Sequence, residues 1–234
     1  MNIQWRRFIL QMAVFIFLCF SACQGNRDHP RHAGNAPADS GSANTHMHGS
    51  DFETLARNFE DPGREKWQKP AEVLALLGDL SGKTVADIGA GTGYFSFPLA
   101  EKAKKVIAVD IDRRFLEYIE QKNRRLATPL PIETRLATES DPRLQPGEAN
   151  IAILVNTYHH IENRPEYFSG VRQMLAEGGA VVIVDFFKKE LPVGPPTRLK
   201  LHPETVAGEL KRAGFREIRI DREILEYQYI IIAR

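Results

Sequence analysis

Short, almost continuously apolar segments recur from residue 84 onward, and a stretch with helical periodicity separates most of them. The predicted strands span 84–88, 105–110, 132–137, 150–155, 180–186, 215–221 and 225–233. Strands that are apolar on both faces and alternate with helices are typical of a parallel sheet covered by helices on both sides. The last two strands are too close in sequence for a parallel crossover. We therefore predict an α/β fold whose seven-stranded mixed sheet is mainly parallel, with one antiparallel strand near the C-terminus.

Helical periodicity predicts helices in most of the segments between these strands and before the first of them. The predicted helices span 51–59, 70–77, 93–102, 112–125, 164–175 and 203–213. Gly178 and Gly179 are expected to end the fifth helix, because glycine is common just after a helix C-terminus. Residues 188–199 contain three prolines and are predicted to form a loop that shapes a substrate pocket.

The loop after the first strand carries the strongest functional signal. The segment Asp87-Ile-Gly-Ala-Gly-Thr-Gly93 places three glycines between a buried strand and a helix. Glycines let backbone N–H groups approach a ligand closely, because no Cβ stands in the way. The dinucleotide fingerprint G-x-G-x-x-G needs its third glycine one residue later, where this chain has Tyr94. A carboxylate at Asp87 repels a pyrophosphate and attracts an ammonium group, so the loop favours a cofactor with a cationic end and no phosphate.

A second acid, Asp110, ends the next strand, roughly 20 residues after the loop, where acids hydrogen-bond ribose hydroxyls. Together the loop and this acid resemble motif I and the ribose-binding acid of the class I S-adenosylmethionine-dependent methyltransferases. The resemblance covers approximately residues 52–234. It implies a Rossmann-like fold, methyltransferase activity and S-adenosylmethionine as the cofactor.

The resemblance also assigns cofactor contacts. The glycines would pass under the methionine part, the first acid would hold its ammonium group and the second acid the ribose. The family often has an acid near the adenine after the third strand, whereas this chain has Leu136-Ala137, so Thr138 or Glu139 is an alternative partner. The predicted cofactor-binding residues are Asp87, Gly89, Gly91, Gly93, Asp110, Ala137 and Thr138.

The segment after the fourth strand faces the transferring methyl group in this family. It reads Asn156-Thr-Tyr-His-His160, and the predicted catalytic residues are Asn156, His159 and His160. Either histidine could accept a proton, while packing of one of them under the following helix is the alternative. Predicted substrate contacts are Trp67, Tyr158 and His202, although Trp67 is also compatible with a core position and His202 with helix packing. The resemblance further implies that residues 52–70 fold over the cofactor as a lid.

Residues 1–22 are predicted to be a signal peptide, because Arg6 and Arg7 precede an apolar run that is shorter than the roughly 20 residues of a membrane-spanning helix. The segment Phe20-Ser21-Ala22-Cys23 resembles the lipobox of bacterial lipoproteins, with Phe20 where leucine is usual. This resemblance implies lipidation of Cys23 and a membrane-anchored protein of the cell envelope, with sorting to the periplasmic face of the outer membrane permitted. An uncleaved signal anchor, or cleavage and release, are the alternatives. Residues 23–50 are rich in small polar residues and are predicted to be a disordered tether.

Composition narrows the classes of partner. The net charge of +1 gives no sign of a nucleic-acid surface. Both cysteines precede the predicted domain at 51–234, so we expect no disulfide, cysteine zinc site or cysteine nucleophile there, and we predict no metal. The expected acceptor is a small molecule, a lipid or an envelope-associated protein. The alternatives are a non-catalytic S-adenosylmethionine-binding domain of a lipoprotein and a Rossmann-type NAD-dependent oxidoreductase.

Overall fold

Seven strands form one sheet in the computed structural model, which describes residues 51–234. The strands are β1 (Thr84–Ile88), β2 (Lys105–Asp110), β3 (Ile132–Leu136), β4 (Ala149–Val155), β5 (Leu175–Phe186), β6 (Ile218–Asp221) and β7 (Gln228–Ala233). Their order is β3-β2-β1-β4-β5-β7-β6. Strand β7 pairs antiparallel with both β5 and β6, and the other pairs are parallel. The predicted mixed sheet is confirmed, whereas the predicted signal peptide, Cys23 and tether lie outside the described residues.

Helices cover both faces of this sheet, as predicted. They are α1 (Phe52–Phe59), α2 (Arg64–Gln68), α3 (Pro70–Leu76), α4 (Ser96–Ala100), α5 (Arg113–Arg124), α6 (Arg164–Met174) and α7 (Pro203–Arg212), with 3₁₀ turns at Tyr158–His160 and Thr197–Leu199. Helix α2 was not predicted, because its five residues are too few to show a clear helical period. No helix within residues 51–234 has the length and apolar character needed to cross a membrane.

Two predicted boundaries are wrong for a physical reason. The helix expected from residue 93 begins only at Ser96, because the glycine turn extends further than its sequence indicates. The strand expected from residue 180 begins at Leu175, directly after α6. The β4–β5 register shifts there, so the pair Gly178-Gly179 lies in a bulged strand rather than at a helix end. A Cβ on Gly179 would stand 2.8 Å from the Ala176 carbonyl oxygen, which explains why glycine is required.

The core has a layer on each face of the sheet, because successive strand residues point to opposite sides. Val85 packs with α3 and α4 on one face, and Ala86 packs with α6 and α7 on the other. Both residues have no exposed surface. The chain leaves β1 toward β2 and β3 and later returns to β4 and β5, so the strand order reverses between β1 and β4. Open α/β sheets bind ligands at the carboxyl ends of the strands beside such a switch point.

Candidate active site

A cavity of about 690 Å³ lies at this switch point. Ligand sites in proteins commonly measure about 300–1,000 Å³, so the cavity has room for a ligand of cofactor size. The loops after β1, β2 and β3 line one side of it, and the loops after β4 and β5 line the other. Residues from α1 and α2, including Phe59 and Trp67, also line it, and we call these two helices, which belong to the predicted lid segment, the cover.

The glycine loop forms the floor of the cavity. The N–H groups of Gly89 and Ala90 both donate to the Val109 carbonyl oxygen, at 2.8 and 3.0 Å, and so tie the loop to β2. Gly89 has φ of +77°, and a Cβ there would stand 2.4 Å from the Thr157 side chain. The loop can therefore approach the segment after β4 only because residue 89 has no side chain.

Asp110 lies beside the loop, as the sequence predicts. Its carboxylate accepts hydrogen bonds from the backbone N–H groups of Gly91 and Asp112, both at 2.9 Å. Burial raises the pKa of Asp110, and these two hydrogen bonds oppose that shift. Each carboxylate oxygen retains a lone pair after these contacts, so Asp110 can still accept hydrogen bonds from a sugar.

Asp87 is a buried carboxylate that accepts a single side-chain hydrogen bond among the described residues. The Ser96 hydroxyl donates to it at 2.6 Å, and only 2% of the residue is exposed. Burial raises the pKa of Asp87 to about 6, and the neighbouring Asp110 adds to the shift. The Ser96 hydrogen bond and the Arg64 charge partly oppose it. A cation bound beside Asp87 would relieve this unfavourable burial.

Thr92 was not predicted from sequence but bears on the same ligand. It lies in the glycine loop, lines the cavity and is 1% exposed. Its hydroxyl has no hydrogen-bond partner among the described residues. Such a buried hydroxyl is normally satisfied, so a bound acceptor group would complete it. These three groups together fit S-adenosylmethionine: Asp87 can bind its ammonium group, the Thr92 hydroxyl its carboxylate, and Asp110 its ribose.

Ala137, Thr138 and Glu139 also line the cavity, after β3. The Ala137 N–H donates to the Asp110 carbonyl oxygen at 2.9 Å, which fixes this segment against β2. Nearby, the rings of Phe59 and Phe115 stack with their centroids 5.4 Å apart. This end of the cavity suits a flat, weakly polar group, and the adenine contacts assigned from sequence stay predictions.

The cover over the cavity is held by a ring of three amides. Asn156 Nδ2 donates to Gln68 Oε1 at 3.1 Å, Gln68 Nε2 donates to Gln228 Oε1, and Gln228 Nε2 donates to Asn156 Oδ1. Arg64 Nε also donates to Gln68 Oε1, at 3.3 Å, which fixes the direction of the ring. The ring joins α2 to the residue after β4 and to the first residue of β7. Asn156, expected to be catalytic, is therefore bonded to the cover as well as lining the cavity.

His159 and Asp185 form a pair on the side of the cavity after β4 and β5. His159 Nδ1 lies 3.0 Å from each carboxylate oxygen of Asp185, and the backbone N–H of His159 also donates to this carboxylate. Because a carboxylate only accepts, Nδ1 carries the proton, and in the neutral imidazole Nε2 has a lone pair. His159 lines the cavity, and Asp185 is fully buried. This arrangement holds an imidazole as a proton acceptor.

His160 also lines the cavity but has a different character. Its ring centroid is 4.3 Å from that of His159. Burial, with a smaller effect of His159, lowers the pKa of His160 to about 4. His160 is therefore neutral at physiological pH, and the geometry favours His159 as the base.

Three predicted contacts do not line the cavity. Tyr158 is fully buried beneath it, where its hydroxyl donates to Glu209 at 2.7 Å and its ring stacks on Phe168. His202 caps the start of α7. Gly93 is the last glycine of the loop, and a Cβ there would meet Phe97 at 2.9 Å. Packing explains Tyr158 and Gly93, whereas His202 is exposed at the N-cap position of α7.

The remaining predicted contact, Trp67, lines the cavity from α2. Its ring lies 5.7 Å from that of Phe186, at the end of β5. The predicted loop at residues 188–199 supplies Pro195, Arg198 and neighbouring residues to the same side. Sequence reasoning missed the lining residues Arg64 and Phe186, and only their position at element ends hints at a role.

Comparisons with known proteins agree with this fold. Residues 86–183, from β1 to β5, match the family model described as "Methyltransferase domain". A solved structure of an S-adenosylmethionine-dependent methyltransferase from Aquifex aeolicus has a TM-score of 0.71 and 24% identity, over 79% of this chain and 98% of that one.

Two curated relatives match over shorter parts. A demethylmenaquinone methyltransferase from Lactococcus lactis is 25% identical over 62% of this chain and 57% of its own length. Phosphoethanolamine N-methyltransferase 3 from Arabidopsis thaliana is 38% identical over 33% of this chain and 15% of its own length. The chain thus spans 15% to 57% of the length of these relatives. Residues 86–183 are thus similar to known methyltransferase domains, and the fold is similar to that of the solved methyltransferase from Aquifex aeolicus.

Proposed function

We propose that this chain transfers a methyl group from S-adenosylmethionine to a small acceptor. One observation carries the proposal: a histidine held as a proton acceptor, His159 on Asp185, lines the same cavity as the acid-flanked glycine loop. The loop suits the cofactor, and the histidine suits an acceptor that loses a proton when it is methylated.

The cofactor supplies an electrophilic methyl group on a sulfonium. In such displacements the protein acts mainly by bringing the reactants together in line. Asp87, Thr92 and Asp110 would hold the cofactor at three separate groups. The cover formed by α1 and α2 would exclude water, which strengthens the interactions of charged groups inside the cavity.

His159 would take the proton of the acceptor at Nε2. Asp185 keeps Nδ1 protonated and stabilises the imidazolium that results, as an orienting carboxylate does for other catalytic histidines. The adjacent His160 stays neutral and adds no positive charge next to this imidazolium. Positioned bases of this kind contribute about 10²- to 10⁴-fold in rate.

We further propose that the chain is a lipoprotein of the cell envelope, anchored through Cys23. The signal-like start and the lipobox-like segment support this proposal. Acyl chains contribute about 0.8 kcal/mol per buried CH₂ group, so lipidation at this cysteine would anchor the protein. Replacement of Cys23 by serine should remove the chain from the membrane fraction, and unchanged fractionation would contradict the lipid anchor.

An envelope location favours a second candidate, a domain that binds S-adenosylmethionine without turnover, because the cofactor is made in the cytoplasm. Calorimetric titration of the full chain with S-adenosylmethionine, S-adenosylhomocysteine and NAD tests binding. Transfer of labelled methyl to a cell-envelope extract tests turnover. We expect binding of the first two ligands and label in the extract, whereas binding without label would favour the second candidate.

Two histidine variants test the chemistry. His159→Gln should lower the rate of label transfer at least about 100-fold with little change in S-adenosylhomocysteine affinity. His202→Gln, outside the cavity, is the matched control and should keep the parent rate. Equal rates for both variants would show that His159 is not the base.

A further inference from the structure

The carboxylates that line the cavity are distributed unevenly between its two sides. Its lining carboxylates lie near the end of β1, at the end of β2 or in the segments that follow β2 and β3: they are Asp87, Asp110, Asp112 and Glu139. The side that follows β4 and β5 has no lining carboxylate among the described residues. Because the strand order is β3-β2-β1-β4-β5, the acids lie on one side of the switch point.

The other side of the cavity, which we call the acceptor side, consists of the residues after β4 and β5 together with Trp67. Its nearest buried carboxylate, Asp185, is already bound to His159 and to the Phe186 N–H. Its one arginine, Arg198, has no hydrogen bond or ion pair with any residue that the structure describes. The electrostatics of this side therefore favour an electron-rich ligand.

The apolar surface of the acceptor side is aromatic. Trp67 and Phe186 lie with their centroids 5.7 Å apart, and a Cβ on Gly194 would meet the Phe186 ring at 2.7 Å, so the loop packs directly on it. Aromatic faces also attract cations, so this pair alone does not choose between acceptor classes. The charges decide the choice: a buried ammonium would find no free carboxylate among the described residues on this side, and the exposed guanidinium of Arg198 would repel it.

We infer that the acceptor is a hydroxyarene or related enol, methylated on oxygen or on the adjacent ring carbon, and not an amine. This inference rests on the proposed methyl transfer. It requires that an aromatic body lie at Trp67 and Phe186 while the developing oxyanion faces Arg198.

The electrons and protons of this step balance. The acceptor's O–H proton, or the ring C–H proton in carbon methylation, goes to His159 Nε2. The acceptor's electron pair forms the new bond to the methyl carbon. The pair of the broken sulfur–carbon bond stays on sulfur, which becomes a neutral thioether. The positive charge lost by the sulfonium reappears on the imidazolium, where Asp185 stabilises it.

Two probes with the same two-ring body test the inference. 1-Naphthol carries a hydroxyl group, and 1-naphthylmethylamine carries an ammonium at mildly alkaline pH. Each is titrated by calorimetry into the full chain saturated with S-adenosylhomocysteine. We expect the naphthol to bind at least about tenfold more tightly, a difference of about 1.4 kcal/mol. In the presence of labelled S-adenosylmethionine, only the naphthol should gain label.

Two arginine variants test whether Arg198 is the cause of the expected preference for the naphthol. Arg198→Gln should weaken naphthol binding about five- to tenfold and leave amine binding unchanged or stronger. Arg216→Gln is the matched control, because Arg216 is exposed, as Arg198 is, but lies outside the cavity and is bonded only through its backbone. Equal or tighter binding of the amine, no binding of either probe, or label on the amine would overturn the inference. Failure to bind S-adenosylhomocysteine would instead overturn the proposed function itself.

Discussion

Replacing Asp87 by asparagine should stabilise the empty domain and weaken cofactor binding at the same time. Burial raises the pKa of this carboxylate from 3.8 to about 6. A shift of about two units corresponds to about 3 kcal/mol at neutral pH, where the ionised form is disfavoured in the folded state. Asparagine removes that penalty but weakens the hydrogen bond from Ser96, which offsets about 1 kcal/mol. The expected net gain is about 2 kcal/mol.

The pH dependence has a definite sign. Between pH 3.8 and about 6 the folded chain binds more protons at Asp87 than the unfolded chain does. Its contribution to stability is therefore fully present below pH 3.8 and is lost as the pH rises through 6. The variant lacks this group, so the gain over the parent should be largest at neutral pH and should vanish in acid.

Thermal unfolding of the full chain at neutral pH measures the first effect. For a domain of this size about 2 kcal/mol raises Tm by roughly 4–8 °C. Calorimetric titration should show S-adenosylhomocysteine binding weakened at least about tenfold, because an ammonium loses its carboxylate partner. Asp79→Asn is the matched control: Asp79 also accepts from a serine hydroxyl, that of Ser81, but is exposed and outside the cavity. A lower Tm for the Asp87 variant, or undiminished affinity, would refute the reasoning.

Three further changes probe the site. Gly89→Ala should lower the free energy of unfolding by more than about 2 kcal/mol and abolish cofactor binding in a calorimetric titration, because the new Cβ would overlap Thr157. Gly78→Ala is the control: Gly78 has a similar φ but lies in open space, so this variant should bind the cofactor normally. Gln228→Leu opens the amide ring and should cost about 1–3 kcal/mol in denaturant unfolding, with faster hydrogen exchange in α2; unchanged exchange would mean that the ring does not hold the cover. Asp110→Ala should weaken S-adenosylmethionine binding without unfolding the domain, and parent affinity would refute the ribose role.

The sequence predicted the sheet and the cofactor side of the cavity because their signals are local. Asp87, the glycines and Asp110 occur within one strand–loop–helix–strand unit, where spacing alone fixes their relation. The strand boundaries of β1 and β2 agree with the prediction to the residue. Tyr158, by contrast, was assigned to the cavity from its neighbours. In the short 3₁₀ turn the side chains of adjacent residues point in different directions, so Tyr158 enters the core while His159 lines the cavity.

Contacts between distant residues explain most of what sequence reasoning missed. The amide ring joins Gln68 to Asn156 across 88 positions and Asn156 to Gln228 across 72. Glutamine at a helix end and at a strand start carries no periodic or motif signal, so only the assembled fold reveals the ring. Its partial burial requires complete hydrogen bonding, and this requirement becomes visible only once the partners are known.

Three energetically unfavourable features lie together at the carboxyl edge of the sheet. Asn156 has φ of +59°, and any side chain at Gly89 would overlap Thr157. Burial of Asp87 disfavours its ionised form. Immediately below them, β1 and β4 contribute residues such as Val85 and Ile153 that have no exposed surface and belong to well-packed core layers. Strain of this kind persists only where the surrounding structure over-determines it. Since a bound cation relieves the burial of Asp87, ligand binding and folding are coupled at this edge, and substitutions that relax it should stabilise the chain at the expense of binding.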